Sequence, residues 1–414
     1  MGRPRKQPEQ TTSTIYRGAD GSWHARVTIG RSSEGTPQRR HLQRRTKAEL
    51  REAVRALERS RDAGHPIWTH DDITLAQWLE HWLNAVLPMT ARWKTLSTYS
   101  SQIHVHVLPA LGHFRLGDLR PEHFEEHYRH MQHHGHSVHV IRAVHRVLRS
   151  SLNEAVRRRR LATNPVQVAR PPRANEVEVE PLTVEECLRV LDAAQATMHP
   201  VRWSIALSLG LRQGEALGLM WSDIDLDDGM LRIRRSVQRH TWLHGCPTSD
   251  SGPTCGRRRG ADCDQRHGGG LMLVEPKTKS SKRTIVLPQP VVEQLRAHRA
   301  AVKRQRLAYG ADWDCTHELV FPASNGGLID PARDNAQWNS LIAKAGVRDV
   351  RLHDARHTAA TLLLLQNVDI RTVMSIMGWT EMATAQRYTH AVDDLRRRAA
   401  RQMGALLWEA QSGG

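Results

Sequence analysis

No stretch of eighteen apolar residues occurs anywhere in the 414-residue chain, and no apolar segment stands behind its basic N-terminus. Those two lacks argue against a membrane-spanning helix and a secretory leader, so the chain is expected in the cytoplasm with no membrane partner. Cysteine is scarce: five residues, an odd number in a long chain, do not make a disulfide framework. Acidic charge is also in short supply. Lys and Arg number 60 against 43 Asp and Glu, giving a formal net charge of +17 and a pI near 10.5. Such a surplus points to a polyanionic partner, most simply nucleic acid. A chain of this length should hold roughly two to three domains.

The charge is concentrated at the start. Residues 1–64 carry fifteen Lys and Arg against seven Asp and Glu, about half of the whole surplus. Within them, "STIYRGADGSWHARVTIG" and "PQRRHLQRRT" alternate like short strands, with turns at "GADG" and "SSEG". "KAELREAVRALERSRDAG" then reads as a helix with Leu50, Val54 and Leu57 inward and Gly64 at its end. Residues 1–66 thus form a three-stranded sheet with one helix, a small core whose Arg39, Arg40, Arg44 and Arg45 suit a DNA groove. A small basic domain with no specific partner is the plainer reading of the same residues.

A second region, residues 73–170, is helical by apolar spacing from "DDITLAQWLEHWLNAV" to "SVHVIRAVHRVLRSSLNEAVRRRRL". Eleven histidines fall between His104 and His145, and His130 and His134 have the i,i+4 spacing of metal ligands. No carboxylate or cysteine completes a set, so solvated or phosphate-contacting histidines fit better. "NPVQVARPPRANEVEVEPLT" is broken by proline and lacks a sustained apolar face, which marks a linker.

The third region, residues 178–410, opens with a capping box between Thr183 and Glu186. In "GLRQGEALGL", Arg212 and Glu215 stand three apart on a helix flanked by apolar residues, where an unpaired guanidinium would be expensive. "VEPKTKSSKRTIVLP" reads as a hairpin: Lys277 lies at the edge of its turn, and Lys279, Lys282 and Arg283 supply further phosphate-binding charge. "LHDARHTAATLLLL" projects His353 and Arg356 from one helix face, both able to reach one small anion. "IMGWTEMATAQRYTHAVDD" places Trp379 and, nine residues later, Tyr388. Taken singly, each has a bland reading: a structural ion pair, a basic turn, an ordinary first turn, a half-buried tyrosine.

Together they resemble the tyrosine recombinase (phage integrase) family in order and approximate spacing, over nearly the whole chain. "GLRQGEALGL" resembles the family's first arginine box, "PKTKSSKRTI" its β-hairpin lysine, "LHDARHTAAT" its His-x-x-Arg box and "MGWTEMATAQRYTH" its nucleophile box. One departure is Trp379, where most members carry histidine. The helical second region resembles the core-type DNA-binding domain, and the N-terminal sheet and helix resemble the arm-type domain of larger, lambda-like integrases. The resemblance implies a mainly α fold with small β elements and a site-specific recombinase that integrates or excises a mobile element. It implies Tyr388 as nucleophile on the 3′ phosphate, Arg212 and Arg356 on the non-bridging oxygens, Lys277 as acid for the departing 5′ oxygen and His353 as proton carrier. Trp379 would support the site by packing and an indole N–H bond, and Glu215 would orient Arg212. It also implies double-stranded DNA attachment sites, a homotetramer on synapsis, an excisionase or host DNA-bending protein as accessory, and no cofactor for catalysis. The C-terminal "DLRRRAARQMGALLWEAQ" is expected to dock on the next protomer. A type IB topoisomerase and a non-catalytic DNA-binding regulator stand as alternatives.

One element fits no part of that pattern. The insertion at residues 240–270 contains Cys246, Cys255, Cys263 and His267, a candidate Cys₃His set for a structural zinc. Its spacing matches no common finger, and free cysteines in a polar insertion are the other reading.

Overall fold

A computed structural model of the chain describes residues 14–31, 37–62, 73–173, 180–249, 252–276 and 282–382, with residues 400 and 403 near the C-terminus. The described chain is mostly helical and divides into two compact units, residues 1–176 and 177–414. No helix among the described residues is long and apolar enough to cross a membrane.

In the first unit, β1 (Thr14–Arg17), β2 (Trp23–Arg31) and β3 (Pro37–Arg44) form an antiparallel meander backed by α1 (Lys47–Asp62). Alternation along β2 turns Ala25 and Val27 toward α1, where they bury against Leu50 and Val54. The other face is polar: His24 stacks on both Tyr16 and His41, with Arg26 and Arg39 exposed beside them. The sequence pattern predicts this sheet and helix, and they form as predicted.

Among the described residues that follow, the α-helices are α2 (Leu75–His81), α3 (Trp93–Gln102), α4 (Leu108–Leu111), α5 (Pro121–His133) and α6 (Val138–Arg157), with short π- and 3-10-helical turns between them. α6 supplies Ile141, Val144, Leu148 and Leu152 at helical spacing to one apolar core. Trp78 of α2 donates its indole N–H to Ser151 Oγ at 2.9 Å, which satisfies two buried polar groups at once.

In the second unit, α7 (Val184–Ala194) starts on the predicted capping box, with Thr183 and Glu186 bonding each other's backbone amides. α8 (Pro200–Ser208) is buried on nearly every side and packs against α7, α10 (Gln289–Tyr309) and α12 (Leu352–Leu365). Arg202 is the one charged residue in this helix. That guanidinium donates to Asp334 of α11 (Pro331–Lys344) at 3.0 Å, the two side chains being 2% and 1% exposed. Asp334 also accepts from Gln213 of α9 (Gln213–Leu217) at 3.0 Å, so one carboxylate ties three helices. α13 (Ile370–Met377) packs on α12.

The small β elements depart from expectation. β4 (Ile224–Asp225), β5 (Met230–Ile233) and β10 (Arg283–Val286) form one sheet, while β6 (Ser236–His240) pairs with β9 (Gly270–Val274). The strands flanking residues 277–281 therefore do not pair with each other as a hairpin. β5 and β6 are successive halves of one path, and β10 and β9 each take one half: Ile233 faces Arg283 and Ser236 faces Val274. The path breaks at Arg234 and Arg235, where Arg235 is drawn to the buried Asp223 at 2.8 Å. The remaining strands, β7 (Thr248–Ser249) and β8 (Gly252–Pro253), are a short hairpin inside the insertion.

Asp334→Ala would leave the Arg202 charge buried without its partner. Removing one member of such a pair costs about 3–5 kcal/mol. Urea unfolding followed by circular dichroism should show that loss in the second unit. A change under roughly 1 kcal/mol would mean that the pair does not hold α8 to α11.

Candidate active site

α9, β10 and α12 converge on the C-terminal end of α13, and each brings an arginine. α13 closes at Gly378, which adopts the left-handed conformation with φ 63° and ψ 47°. A residue with a Cβ pays roughly 1–2 kcal/mol for that conformation. The last carbonyls of a helix have no partner within it and carry the negative end of its dipole. Here three consecutive carbonyls accept from three different guanidiniums. Ile376 O takes Arg283 Nε at 2.7 Å, Met377 O takes an Arg356 terminal nitrogen, and Gly378 O takes Arg212 at 3.3 Å. Arg356 also donates to Gly210 O, which locks α12 to the turn before α9.

Glu215 is the counter-charge. Its carboxylate, 5% exposed, accepts from Arg212 at 2.7 Å and from both terminal nitrogens of Arg283 at 3.1 and 2.9 Å. Burial alone would raise its pKa, but Arg283 and then Arg212 outweigh burial and hold it below the usual carboxylate value. The second oxygen also accepts the Arg212 backbone N–H at 3.0 Å, so Glu215 caps α9 as well. Arg212 keeps 40% of its side chain exposed. Arg283 corrects the sequence reading, which placed it among DNA-contacting residues. Its side chain is 6% exposed, turned inward by the Glu215 carboxylate and the Ile376 carbonyl.

His353 lies one turn before Arg356 and is exposed. Partial desolvation, then the positive charge of Arg356 with smaller contributions from Arg351 and Arg212, lowers its pKa below the ordinary imidazole value. The shift favours the neutral imidazole, which can accept a proton. The Trp379 ring centre is 5.9 Å from the Arg356 guanidinium carbon, within cation–π reach, and the ring packs on the α12–α13 core.

Two supporting residues escaped the sequence reading. His357 meets His353 edge-on at 5.2 Å, and burial, followed by the repulsion that protonating both rings would bring, lowers its pKa. Asp354 grips the Arg351 guanidinium with both oxygens at 3.0 Å and accepts the Arg351 N–H, fixing the first turn of α12. An aspartate three residues into a helix was the signal for it. Of the six expected catalytic residues, the structure brings Arg212, His353, Arg356 and Trp379 together. Lys277 and Tyr388 lie outside the described residues, as do Lys279 and nearly all of the C-terminal segment. Lys282 is exposed and pairs with Glu275 at 2.9 Å. Arg39, Arg40 and Arg44 lie on β3, and Arg45 follows it.

A second constellation sits in the insertion at the end of the β6–β9 ribbon. His244, Cys246, Cys255 and Cys263 bring one ligand atom each within 4.8 Å of one another. His267 is not among them, a correction to the expected set. Its backbone pairs with Leu243 in both directions, at 2.9 and 3.1 Å, and its side chain is exposed. Successive residues of an extended chain point to opposite sides, so the bridge at Leu243 turns His244 away from His267's side. The His-x-Cys spacing of His244 and Cys246 was the readable clue.

The guanidiniums of Arg212 and Arg356, the His353 imidazole and the Trp379 indole thus gather near the end of α13, and paired guanidiniums are suited to the oxygens of a phosphodiester. Comparison with known proteins narrows this. The phage integrase family matches residues 262–394, and the phage integrase N-terminal SAM-like domain matches residues 74–132. The chain is 38% identical to an integrase of Saccharopolyspora erythraea over 99% of both chains. Its fold resembles the Tn1549 transposon integrase, solved with a circular intermediate DNA, at a TM-score of 0.62 and 17% identity, over 79% of this chain and 100% of that one. It also resembles a lambda integrase tetramer bound to a Holliday junction, at a TM-score of 0.53 and 16% identity, over 90% and 94%. The chain belongs to the phage integrase family and is a tyrosine site-specific recombinase.

Glu215→Gln tests the arginine cluster. Its lowered pKa means that the Glu215 contribution to stability is present above the unfolded carboxylate pKa and is lost as pH falls through the folded value. The variant should lose about 3–5 kcal/mol near neutral pH, because Arg283 loses its charged partner. The loss should shrink toward acid pH in urea titrations. A loss that is independent of pH would exclude the charge as its cause.

Proposed function

We propose that Arg212, His353, Arg356 and Trp379, together with Lys277 and Tyr388, carry out the strand transfer of this recombinase. The observation that supports the assignment is the anchoring of Arg356 and Arg212 on the adjacent carbonyls of Met377 and Gly378, beside His353, whose pKa is lowered. Attack on a DNA phosphodiester builds negative charge on the non-bridging oxygens. Two planar guanidiniums hold those oxygens through paired hydrogen bonds, which a lysine point charge does less well. The Tyr388 oxygen bonds to phosphorus and passes its proton to His353, while the bond to the 5′ oxygen breaks and that oxygen takes a proton from Lys277. The phosphotyrosine retains the energy of the phosphodiester. Religation, the same exchange with an incoming 5′ hydroxyl, therefore needs neither a nucleotide nor a metal. Trp379 stiffens Arg356 by packing and a cation–π contact.

The substrate of this reading is double-stranded DNA carrying attachment sites of a mobile element. Residues 178–410 perform the chemistry, residues 73–170 clamp the crossover site, and residues 1–66 bind a separate arm-type site. In that last domain Arg39, Arg40, Arg44 and Arg45 meet phosphates, as Lys279 and Lys282 do near the crossover. Four copies assemble on synapsis in the cytoplasm, and an excisionase or host DNA-bending protein sets direction. The only metal in this reading is a structural zinc, far from the chemistry in role. The full-length likeness to an integrase favours recombination over topoisomerase-like relaxation or simple regulation.

Incubation with a nicked attachment site should trap wild-type protein on DNA through a detergent-resistant bond. Tyr388→Phe should bind the same DNA and trap none. Arg212→Lys and Arg356→Lys should lose most cleavage, each by about 3–4 kcal/mol of transition-state stabilisation, with unfolding midpoints measured alongside. An adduct formed by Tyr388→Phe would assign the nucleophile elsewhere.

Deleting residues 1–66 should leave crossover-site binding and trapping intact and abolish integration between two attachment sites. Affinity of the full chain for arm DNA should fall steeply with salt, because phosphate contacts release counterions. Identical footprints with and without residues 1–66 would remove the arm-binding assignment.

A further inference from the structure

We infer that His244, Cys246, Cys255 and Cys263 bind one Zn²⁺ ion, which holds the insertion in its folded form. The inference rests on this cluster and not on the recombination reading. Cys255 Sγ lies 3.4 Å and Cys246 Sγ 3.9 Å from His244 Nδ1, and all four ligand atoms fall within 4.8 Å of one another. A tetrahedral zinc with Zn–S near 2.3 Å and Zn–N near 2.0–2.1 Å has edges of roughly 3.5–3.8 Å. The cluster therefore needs only a slight contraction to enclose the ion.

Three separate pieces of backbone deliver the donors. His244 and Cys246 leave the β6–β9 ribbon together. The β7–β8 hairpin reverses the chain, pairing Thr248 with Pro253 and bonding Thr254 N to Pro247 O at 2.9 Å, which returns Cys255 beside Cys246. A helical turn at Gly260–Asp262 then presents Cys263, which is 1% exposed. Backbone approaches are close: a Cβ on Gly245 would stand 2.0 Å from the Gln265 carbonyl oxygen.

What is missing elsewhere makes the metal necessary. Among the described residues of 241–269, only Gly260 and Cys263 are buried, so apolar burial cannot pay the conformational entropy of ordering this segment. A disulfide would use two thiols and leave the third thiol and the imidazole at the same point unexplained. Thiolates with an imidazole are the donor set of zinc rather than of calcium or magnesium, and four protein ligands leave no open position, as in a structural site. The site holds a basic knuckle bearing Arg257, Arg258, Arg259 and Arg266 on the end of the ribbon.

Full-length protein purified without chelator should contain one zinc per chain by elemental analysis. His244→Ala and Cys263→Ser should fall below about a tenth of that, whereas His267→Ala and Cys187→Ser should retain it. Cobalt titration of chelator-stripped full-length protein provides a readout independent of variant folding. Tetrahedral visible bands with thiolate charge transfer should saturate at one equivalent. Three outcomes would overturn the site: octahedral cobalt, zinc lost through His267→Ala and kept by His244→Ala, or a Cys–Cys disulfide by mass in metal-free native protein.

Discussion

The catalytic unit is organised around the end of one short helix. α13 closes by sending the amides of Gly378 and Trp379 back to Ser375 and Met374, which leaves the carbonyls of residues 376–378 for other partners. Those carbonyls are met by arginines from β10, α12 and α9. A helix C-terminus attracts cations, and a guanidinium can serve a carbonyl while directing other N–H groups elsewhere. One helix end thus fixes the mutual positions of three elements that are far apart in sequence.

Glu215 divides the arginines by task. Arg283 gives it two hydrogen bonds and stays 6% exposed, so this pair is structural. Arg212 shares the same carboxylate but keeps 40% of its side chain exposed, where a phosphate can reach it. The arrangement is preorganised: guanidiniums held by protein acceptors before a substrate arrives need little reorganisation when charge develops. Burial, and after it the same positive field, lowers the pKa of the neighbouring His353, which favours the neutral form that can receive a proton.

The ribbon end solves a different problem with different chemistry. The β6–β9 pair carries an insertion that is almost without apolar burial, and its thiols and imidazole converge on one point. Both the arginine cluster and the Cys/His cluster use directional polar groups to set geometry, the first beside hydrophobic cores and the second almost without one.

Sequence alone determined the local elements. Alternation wrote the three N-terminal strands, the spacing of Leu50 and Val54 wrote α1, and Thr183 with Glu186 wrote the start of α7, because each depends on neighbours a few residues away. The Arg212–Glu215 and His353–Arg356 pairs were legible for the same reason. Tertiary structure alone decided what long-range pairing controls. It turned Arg283 from a surface charge into the partner of Glu215, 68 residues away, and set β9 and β10 on different partners. It also replaced His267 by His244, because one backbone bridge at Leu243 chose which side each histidine faces. Residue type and spacing specify which groups are available, and the packing of distant segments selects which of them meet.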